Sequence, residues 1–302
     1  MGRTATLASH IMIAGRIEGG GTVKKNLTLE QRVHNAIGSQ TCEDYKSRHA
    51  YLHTVCYQRE EFDVMWLKSP NITWAHQFGR MVGWEENYYN HVIHTEISYT
   101  RIKSEMMKKY EMLGGHDFRA VTSSGIHVIG SDVIEVAEDG MSVRASYLTP
   151  GTMTSHMSFD SDSKSGTWIW ERYGSEFVFV DGEWKWFHED VCPDVDSEYD
   201  HANWAQERYI DYVEGRLKIG DMGGYPDRLT EPDVRPHHDY AIVVPIQDTV
   251  PPPKPYKTLD DENTYSPGRT DPTGKITVKT DGSKKMDWGF DPNETYQVQK
   301  ER

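Results

Sequence analysis

Residues 167–191 read TWIWERYGSEFVFVDGEWKWFHEDV, and this stretch decides the fold. Apolar and polar side chains alternate on both sides of Asp181-Gly182, a dipeptide typical of a tight hairpin turn. The stretch therefore predicts two antiparallel strands, from Thr167 to Val180 and from Glu183 to Val191. On a period of two, one face of the second strand carries four residues, and that face either lines a pocket or packs on a helix: Trp184, Trp186, His188 and Asp190.

A second pair of strands precedes this one. Gly125 to Val136 and Ser142 to Leu148 also alternate, and Glu138-Asp139-Gly140 supplies the turn between them. Pro150 to Gly166 is rich in Ser, Thr, Asp and Gly, and we expect it to form a loop that joins the two pairs.

Upstream of the strands, the apolar period is helical. Thr28-Leu29-Glu30-Gln31 is a capping box, which marks the start of the first helix. Ile72 to His76 has the pattern of a short strand between helical stretches. Helices followed by long antiparallel strands predict an α+β fold, in which the helices cover one face of a curved sheet. The helical stretches are Glu43 to Cys56, Glu60 to Leu67 and Trp84 to Leu113.

The composition limits the classes of function. The chain has 302 residues, with 33 Lys and Arg against 47 Asp and Glu, which gives a net charge of −14. An acidic balance argues against nucleic acid and against an anionic membrane surface as partners. No apolar run reaches the roughly 18 residues of a membrane span. Three cysteines without CxxC spacing argue against a disulfide framework, so we expect a cytoplasmic protein.

The composition also divides the chain into three regions. Residues 1–27 form an N-terminal tail, part of which an expression vector could supply, and residues 28–195 form the folded domain. Residues 196–302 begin with a helical stretch, Asn203 to Arg216, and continue with many prolines that prevent β-ladders. We expect this third region to wrap the domain or a neighbouring subunit, clasping a homodimer or higher homo-oligomer. Its end, beyond about Pro267, is expected to be disordered.

Several short strings form a series along the chain. They are Arg48-His49-Ala50-Tyr51, Phe78-Gly79-Arg80, Gly83-Trp84-Glu85-Glu86, Ile134 to Gly140, Trp170 to Gly174 and Asp181 to Lys185. In this order, over about residues 29–195, the series resembles the SnoaL-like family of the nuclear transport factor 2-like superfamily. The resemblance implies a cone-shaped antiparallel sheet wrapped around helices, with a pocket at its wide end. Members include ketosteroid isomerase, scytalone dehydratase and a bile-acid dehydratase, besides many binding modules, so the fold alone does not give the function.

The resemblance also implies candidate catalytic residues. Tyr51 aligns with the tyrosine that dehydratase-type members point into the cone, although a core tyrosine is the alternative. His127 lies close to the position of their catalytic histidine, and histidine suits proton transfer near neutral pH. Those members carry an acidic residue five positions after the tyrosine, whereas this chain has Cys56, which is either a nucleophile or a small core residue.

Metal and cofactor motifs are weak in this sequence. His49 and His53 are four residues apart, and His91 and His94 are three apart, but no third ligand accompanies either pair. The sequence has neither a glycine-rich phosphate loop nor a serine-centred elbow. We therefore predict no metal site and no cofactor.

Two functions remain open. The first is a cofactor-independent lyase or isomerase acting on a small hydrophobic, aromatic or polycyclic hydroxy-carbonyl compound. Tyr51 would orient the substrate oxygen and His127 would move the proton, with His188 or His76 assisting. The second is a non-catalytic module that binds an apolar ligand or a partner protein, which Cys56 in place of the carboxylate favours. In the first hypothesis, the substrate-binding residues are His53, Trp74, His76, Trp170 and Trp186.

Overall fold

The computed structural model describes residues 27–54, 57–76, 79–93, 123–156, 164–198 and 250–274 of the chain. Its helices are α1 (Leu29–Thr54), α2 (Gln58–Met65) and α3 (Trp84–Tyr88), the last of which continues into a π-helical turn (Tyr89–Ile93). Its strands are β1 (Thr73–His76), β2 (Gly79–Val82), β3 (Ser123–His127), β4 (Gly130–Val136), β5 (Ser142–His156), β6 (Lys164–Val180) and β7 (Glu183–Glu198).

Helix α1 begins at the predicted capping box. The Thr28 hydroxyl accepts a hydrogen bond from the Gln31 backbone N–H at 3.1 Å, and the Gln31 side chain accepts one from the Thr28 N–H at 2.9 Å. This reciprocal pairing satisfies two backbone donors that a helix start otherwise leaves without partners. The helix passes closely over β7 at Gly38, where a β-carbon would lie 2.6 Å from the Trp184 ring. Only glycine allows this approach.

Seven strands form one curved sheet in the order β2-β1-β7-β6-β5-β3, with β4 also pairing with β5. All pairs are antiparallel except β1 with β7. The two predicted turns are present, and Gly140, Asp181 and Gly182 have the positive φ angles that tight turns require. With α1 laid across the inner face of this sheet, the α+β fold predicted from the sequence is confirmed.

Two predicted strand boundaries are wrong. The stretch from Gly125 to Val136 is two strands, since β3 ends at His127 and β4 begins at Gly130. Within β4, Ser131 adopts a φ of 51° and the pairing with β5 shifts register between Gly130 and Val133. The predicted loop from Pro150 to Gly166 is largely strand, since β5 continues to His156 and β6 starts at Lys164. Ser and Thr are compatible with strands when a long partner continues the ladder.

Residues 250–274, here called the strap, lie on the outer face of the sheet. Val250 and Tyr265 pack over Gly174 of β6, where a β-carbon would lie 2.8 and 3.0 Å from them. The Tyr256 carbonyl accepts a hydrogen bond from the Glu138 backbone N–H at 3.0 Å. The strap therefore buries part of the outer face with side chains of the same chain.

Several predictions fall on parts of the chain outside the described residues. They are the N-terminal tail up to residue 26, the long helix beyond Ile93, the helix from Asn203 to Arg216 and the end of the chain after residue 274. No described helix is long and apolar enough to cross a membrane.

Candidate active site

The inner face of α1 brings polar side chains over the sheet. Gly38, Cys42 and Lys46 form a buried stripe at four-residue spacing, and His49 and His53 continue it. Because residues three and four apart lie on one side of a helix, all of these side chains face the sheet interior. The stripe ends in two histidines, so the side chains suited to proton transfer lie at that end of α1.

His49 is paired with a carboxylate of α2. Its Nδ1 atom lies 2.9 Å from Oε2 of Glu61, and the Trp66 indole N–H donates to Oε1 of the same carboxylate at 3.1 Å. Burial by itself raises the pKa of Glu61, but His49 and the Trp66 hydrogen bond together lower it below its ordinary value. The Glu61 carboxylate fixes the orientation of the His49 ring.

The imidazole rings of His49, His53 and His127 form a row. The ring centroids of His49 and His53 are 5.5 Å apart, and those of His53 and His127 are 5.4 Å apart. At the far end, Nδ1 of His127 lies 3.4 Å from Oε2 of Glu171, which also accepts a hydrogen bond from the Tyr173 hydroxyl at 2.9 Å. Carboxylates therefore flank the row of histidines at both ends.

The Nε2 atoms of His53 and His127 converge over Gly125. A β-carbon at this glycine would lie 3.6 Å from Nε2 of His53 and 3.7 Å from Nε2 of His127. A substrate oxygen or carbon at that β-carbon position would contact both nitrogens. Two ring nitrogens within contact distance of one point can act as an acid and a base on a group that is bound there.

Burial keeps both of these imidazoles neutral. It lowers the pKa of His53 to about 3, helped by the nearby His49 and His127. It lowers the pKa of His127 to about 4, helped by His49 and by the ammonium group of Lys46. A neutral imidazole has one nitrogen that donates and one that accepts, so each ring can take and release a proton.

The ammonium group of Lys46 is buried between α1 and the sheet, where it forms an ion pair. Its Nζ atom lies 2.6 Å from Oε1 of Glu189, and Ser175 donates a hydrogen bond to the other oxygen of that carboxylate. Nζ also lies 4.3 Å from the ring centre of Tyr173 and 4.5 Å from that of Trp186, where the π-faces attract a cation. Burial lowers the pKa of Lys46 and raises that of Glu189, and the mutual attraction of the two groups opposes both shifts.

Aromatic rings form the walls around these polar groups. Trp186 stacks on Trp66 with centroids 4.8 Å apart, and Trp74 stacks on His76 at 5.5 Å. Nε2 of His76 lies 3.9 Å from Oε1 of Glu171, so this histidine borders the same carboxylate as His127. The interior is thus largely aromatic, with a few specific polar groups.

The structure places five of the eight predicted site residues in this interior: His53, Trp74, His76, His127 and Trp186. The placement of Tyr51 is wrong, because its side chain is 68% exposed. Tyr51 follows His49 by two residues, which turns it about 200° around the helix axis, away from the sheet. The predicted pairing of Tyr51 with His127 is therefore wrong as well.

His188 lies on the outer face of the sheet, so the prediction that it shares a face with Trp184 and Trp186 is wrong. Phe177 pairs with Trp186 and Glu176 pairs with His188, which leaves Phe187 as an extra residue in β7. This β-bulge reverses the alternation beyond Trp186. His188 contacts Thr73 through Nδ1 at 2.9 Å and donates from Nε2 to the Arg269 carbonyl of the strap at 3.1 Å.

Trp170 also lies outside the interior of the sheet, with 46% of its surface exposed, because its neighbour Glu171 takes the inward position on β6. Cys56 and His94 lie outside the described residues.

Sequence reasoning missed four interior residues: Lys46, Glu61, Glu171 and Glu189. Lys46 could have been found, because it continues the stripe that links Cys42 to His49. The three glutamates carry no local signal, since their partners are distant in the chain. Among the described residues, no group of three or more His, Cys, Asp and Glu side chains is arranged to hold a metal ion.

Some solved structures are similar to this chain at low sequence identity. No family model matches the chain, and no curated protein matches it. Among solved structures, hexachlorocyclohexane dehydrochlorinase LinA-type3 from Novosphingobium barchaimii LL02 is similar, with 11% identity, a TM-score of 0.38 and coverage of 58% of this chain and 99% of that chain.

A nuclear transport factor 2-like superfamily protein from Salmonella enterica is also similar, with 14% identity, a TM-score of 0.33 and coverage of 54% of this chain and 92% of that chain. Likenesses at this identity concern the fold alone, so the chemistry must come from the residues of this chain.

Proposed function

We propose that this protein is a cofactor-independent acid–base enzyme, a dehydratase-like lyase or an isomerase acting on a small hydrophobic hydroxy-carbonyl compound. The observation that carries the proposal is the placement of two buried, neutral imidazoles, His53 and His127, whose Nε2 atoms lie 3.6 and 3.7 Å from the β-carbon position of Gly125.

In the proposed lyase reaction, His127 both accepts and delivers the proton. Its Nε2 atom takes the proton next to the substrate carbonyl, the carbon–carbon double bond forms, and the carbon–oxygen bond of the leaving hydroxyl breaks. The same proton passes to the departing hydroxide, which leaves as water. Glu171, 3.4 Å from Nδ1, stabilises the imidazolium that exists between the two transfers.

His53 acts on the substrate oxygen in this proposal. A neutral His53 donates a hydrogen bond from Nε2 to the carbonyl, which stabilises the negative charge that develops there. In an isomerase, His127 would return the proton to a different carbon of the substrate, and His53 would again donate to the carbonyl oxygen. The aromatic walls hold an apolar ring and exclude water, which strengthens these electrostatic contacts.

The experiment is a dehydration assay with the aldol adduct of benzaldehyde and acetone, whose product benzylideneacetone is followed by its ultraviolet absorbance. We expect turnover by the wild-type protein and a loss of roughly a hundred-fold in His127→Gln, as for a lost acid–base group. Tyr51→Phe is the matched control, because its exposed side chain should leave turnover unchanged.

A protein that binds the adduct, seen as quenching of tryptophan fluorescence, but leaves it unreacted would contradict a lyase and favour the non-catalytic binding module. Equal turnover by the wild type and His127→Gln would also contradict the proposal.

A further inference from the structure

The strap begins with a proline-rich segment whose sequence restricts its backbone. Residues 250–255 read Val-Pro-Pro-Pro-Lys-Pro. Each proline fixes its own φ at about −65° and turns the residue before it away from helical angles. Every residue of the segment is a proline or precedes one, so the sequence favours the polyproline II conformation. This is a left-handed helix with about three residues per turn.

The burial of this segment follows the same period. Val250, Pro253 and Tyr256 are buried, and two exposed residues separate each from the next. Val250 packs over Gly174 of β6, and the Tyr256 hydroxyl lies 3.0 Å from that of Ser142. One side of the segment therefore rests on the sheet, while the other two sides face solvent. We call the exposed residues the proline ridge: Pro251, Pro252, Lys254 and Pro255.

Hydrogen bonds hold the strap at both ends of the proline ridge. At one end, the Tyr265 hydroxyl donates to the Pro251 carbonyl at 3.0 Å. At the other end, the carbonyls of Tyr256 and Lys257 accept hydrogen bonds of 3.0 and 3.1 Å from backbone N–H groups of the β4–β5 turn. The ridge is thus ordered before any partner binds, and an ordered ligand loses less conformational entropy on binding.

The spacing of the exposed residues is that of a peptide-recognition signal. Pro252 and Pro255 are three residues apart, and Lys257, which is also exposed, follows two residues later. The sequence is therefore PxxPxK. PxxP segments dock in aromatic-lined grooves, which use the preformed polyproline II helix. The lysine adds a positive charge that a carboxylate of the partner can pair with.

We propose that the proline ridge and Lys257 are the docking site for a protein domain of the SH3 type, whose groove combines aromatic proline pockets with a carboxylate. Such a groove takes two pairs of residues that each end in proline, and the residue between the pairs points away from it. Here the pairs are Pro251-Pro252 and Lys254-Pro255, and Pro253 between them is the residue that faces the sheet. The ridge can therefore enter the groove while the strap stays on the sheet.

The burial of Tyr256 argues for the SH3 type over a WW domain that reads a tyrosine beside its prolines. The Tyr256 side chain is only 4% exposed, so it is not available to a partner. The ridge lies on the outer face of the sheet, whereas His53 and His127 lie inside. This inference is therefore independent of the proposed function.

The test is the binding of the full-length protein to a panel of purified SH3 domains whose known ligands carry PxxPxK or PxxPxR. Titration calorimetry measures the affinity, and proton–nitrogen NMR of the labelled SH3 domain locates the contact. We expect micromolar binding to a member of the panel, with shifts at the aromatic residues of its groove. A WW domain and a profilin are the comparison arms. Binding to no SH3 domain, or tighter binding to either comparison domain, would overturn the proposal.

Substitutions in the ridge separate recognition from stiffening of the strap. Pro255→Ala should weaken the SH3 complex by roughly ten-fold or more, because one pocket loses its proline ring. Lys257→Glu should weaken it as well, since it brings like charges together, yet this variant keeps every proline. Pro267→Ala is the matched control, because this proline is exposed on the strap outside the ridge and should leave the affinity unchanged.

Circular dichroism checks that each variant is folded, and Pro252→Ala replaces Pro255→Ala if the latter is not. Unchanged affinity in the folded proline variant and in Lys257→Glu would show that the prolines only stiffen the strap. An equal loss of affinity in Pro267→Ala would also contradict a docking site at the ridge.

Discussion

The Lys46 ammonium lies 2.6 Å from the Glu189 carboxylate, and both side chains are fully buried. This pair ties the inner face of α1 to β7 directly behind the row of histidines. The bulge at Phe187 is what turns Glu189 inward, so a single extra residue in a strand creates the partner for Lys46. The pair fixes the Lys46 ammonium group close to His127, and its positive charge helps to keep that imidazole neutral.

Removing Lys46 should destabilise the protein strongly. Lys46→Met leaves Glu189 buried without its counter-charge, which costs about 3 to 5 kcal/mol in the free energy of unfolding. Urea denaturation measures this loss. Lys46→Met/Glu189→Gln should recover much of it, whereas Lys185→Met, at an exposed pair with Glu183, should stay within about 0.5 kcal/mol. Equal losses in the single and double variants would show that the pair is not coupled.

A methyl group at residue 125 should lower activity without unfolding the protein. In Gly125→Ala, the new β-carbon meets the Nε2 atoms of His53 and His127 at 3.6 and 3.7 Å, which are ordinary contact distances. We expect an unchanged melting temperature but a loss of turnover of about ten-fold or more, because the methyl group displaces the substrate. Gly130→Ala is the control, since a β-carbon there has no atom within 4 Å. Full activity in Gly125→Ala would place the reacting atoms elsewhere.

His188 should make the fold sensitive to acid. Burial lowers its pKa to about 3, and the nearby Arg80 and Arg269 add to this shift, against the hydrogen bond to the Arg269 carbonyl. The unfolded chain protonates this histidine near pH 6.5, so its contribution to stability is complete above that pH and is lost as the pH falls towards 3.

His188→Gln removes this titration. Between about pH 6.5 and pH 4.5, the unfolding free energy of the wild type should therefore fall by roughly 2 to 3 kcal/mol more than that of the variant. Chemical denaturation across this range tests the difference. Parallel curves for the two proteins would contradict a neutral, buried His188.

The close approach at Gly174 should control the docking of the strap. A β-carbon there would come within 2.8 Å of Val250 and 3.0 Å of Tyr265, so Gly174→Ala must displace one of them. We expect faster hydrogen exchange in residues 250–274 and a loss of about 1 to 3 kcal/mol in stability, as for an overpacked site. Unaltered exchange in the strap would mean that it does not depend on this contact.

The parts of the fold predicted correctly from the sequence are those with a local cause. Asp181-Gly182 and Glu138-Asp139-Gly140 specify their turns by backbone conformation alone, and the Thr28 box specifies its helix start. Helix phase would also have corrected Tyr51, because Cys42, Lys46 and His49 already define the inner side of α1.

The remaining features depend on tertiary packing. The bulge at Phe187 lies where β7 pairs with both β6 and β1, and no neighbouring residue in the sequence predicts it. Alternation alone therefore could not predict which faces His188 and Glu189 occupy. Glu61 and Glu171 acquire their roles only from histidines on other elements, at sequence distances of 12 and 44 residues respectively from His49 and His127.

The most direct test of the central claim is the exchange of the protons next to the carbonyl of benzylacetone in deuterium oxide, followed by proton NMR. This exchange needs only the base and the oxygen-binding group, so it does not depend on which bond the natural reaction breaks. The interior site predicts exchange by the wild type and by Tyr51→Phe, and a loss of roughly a hundred-fold in His127→Gln. Exchange that is absent from the wild type, or that Tyr51→Phe removes while His127→Gln retains it, would contradict an acid–base site at His53 and His127.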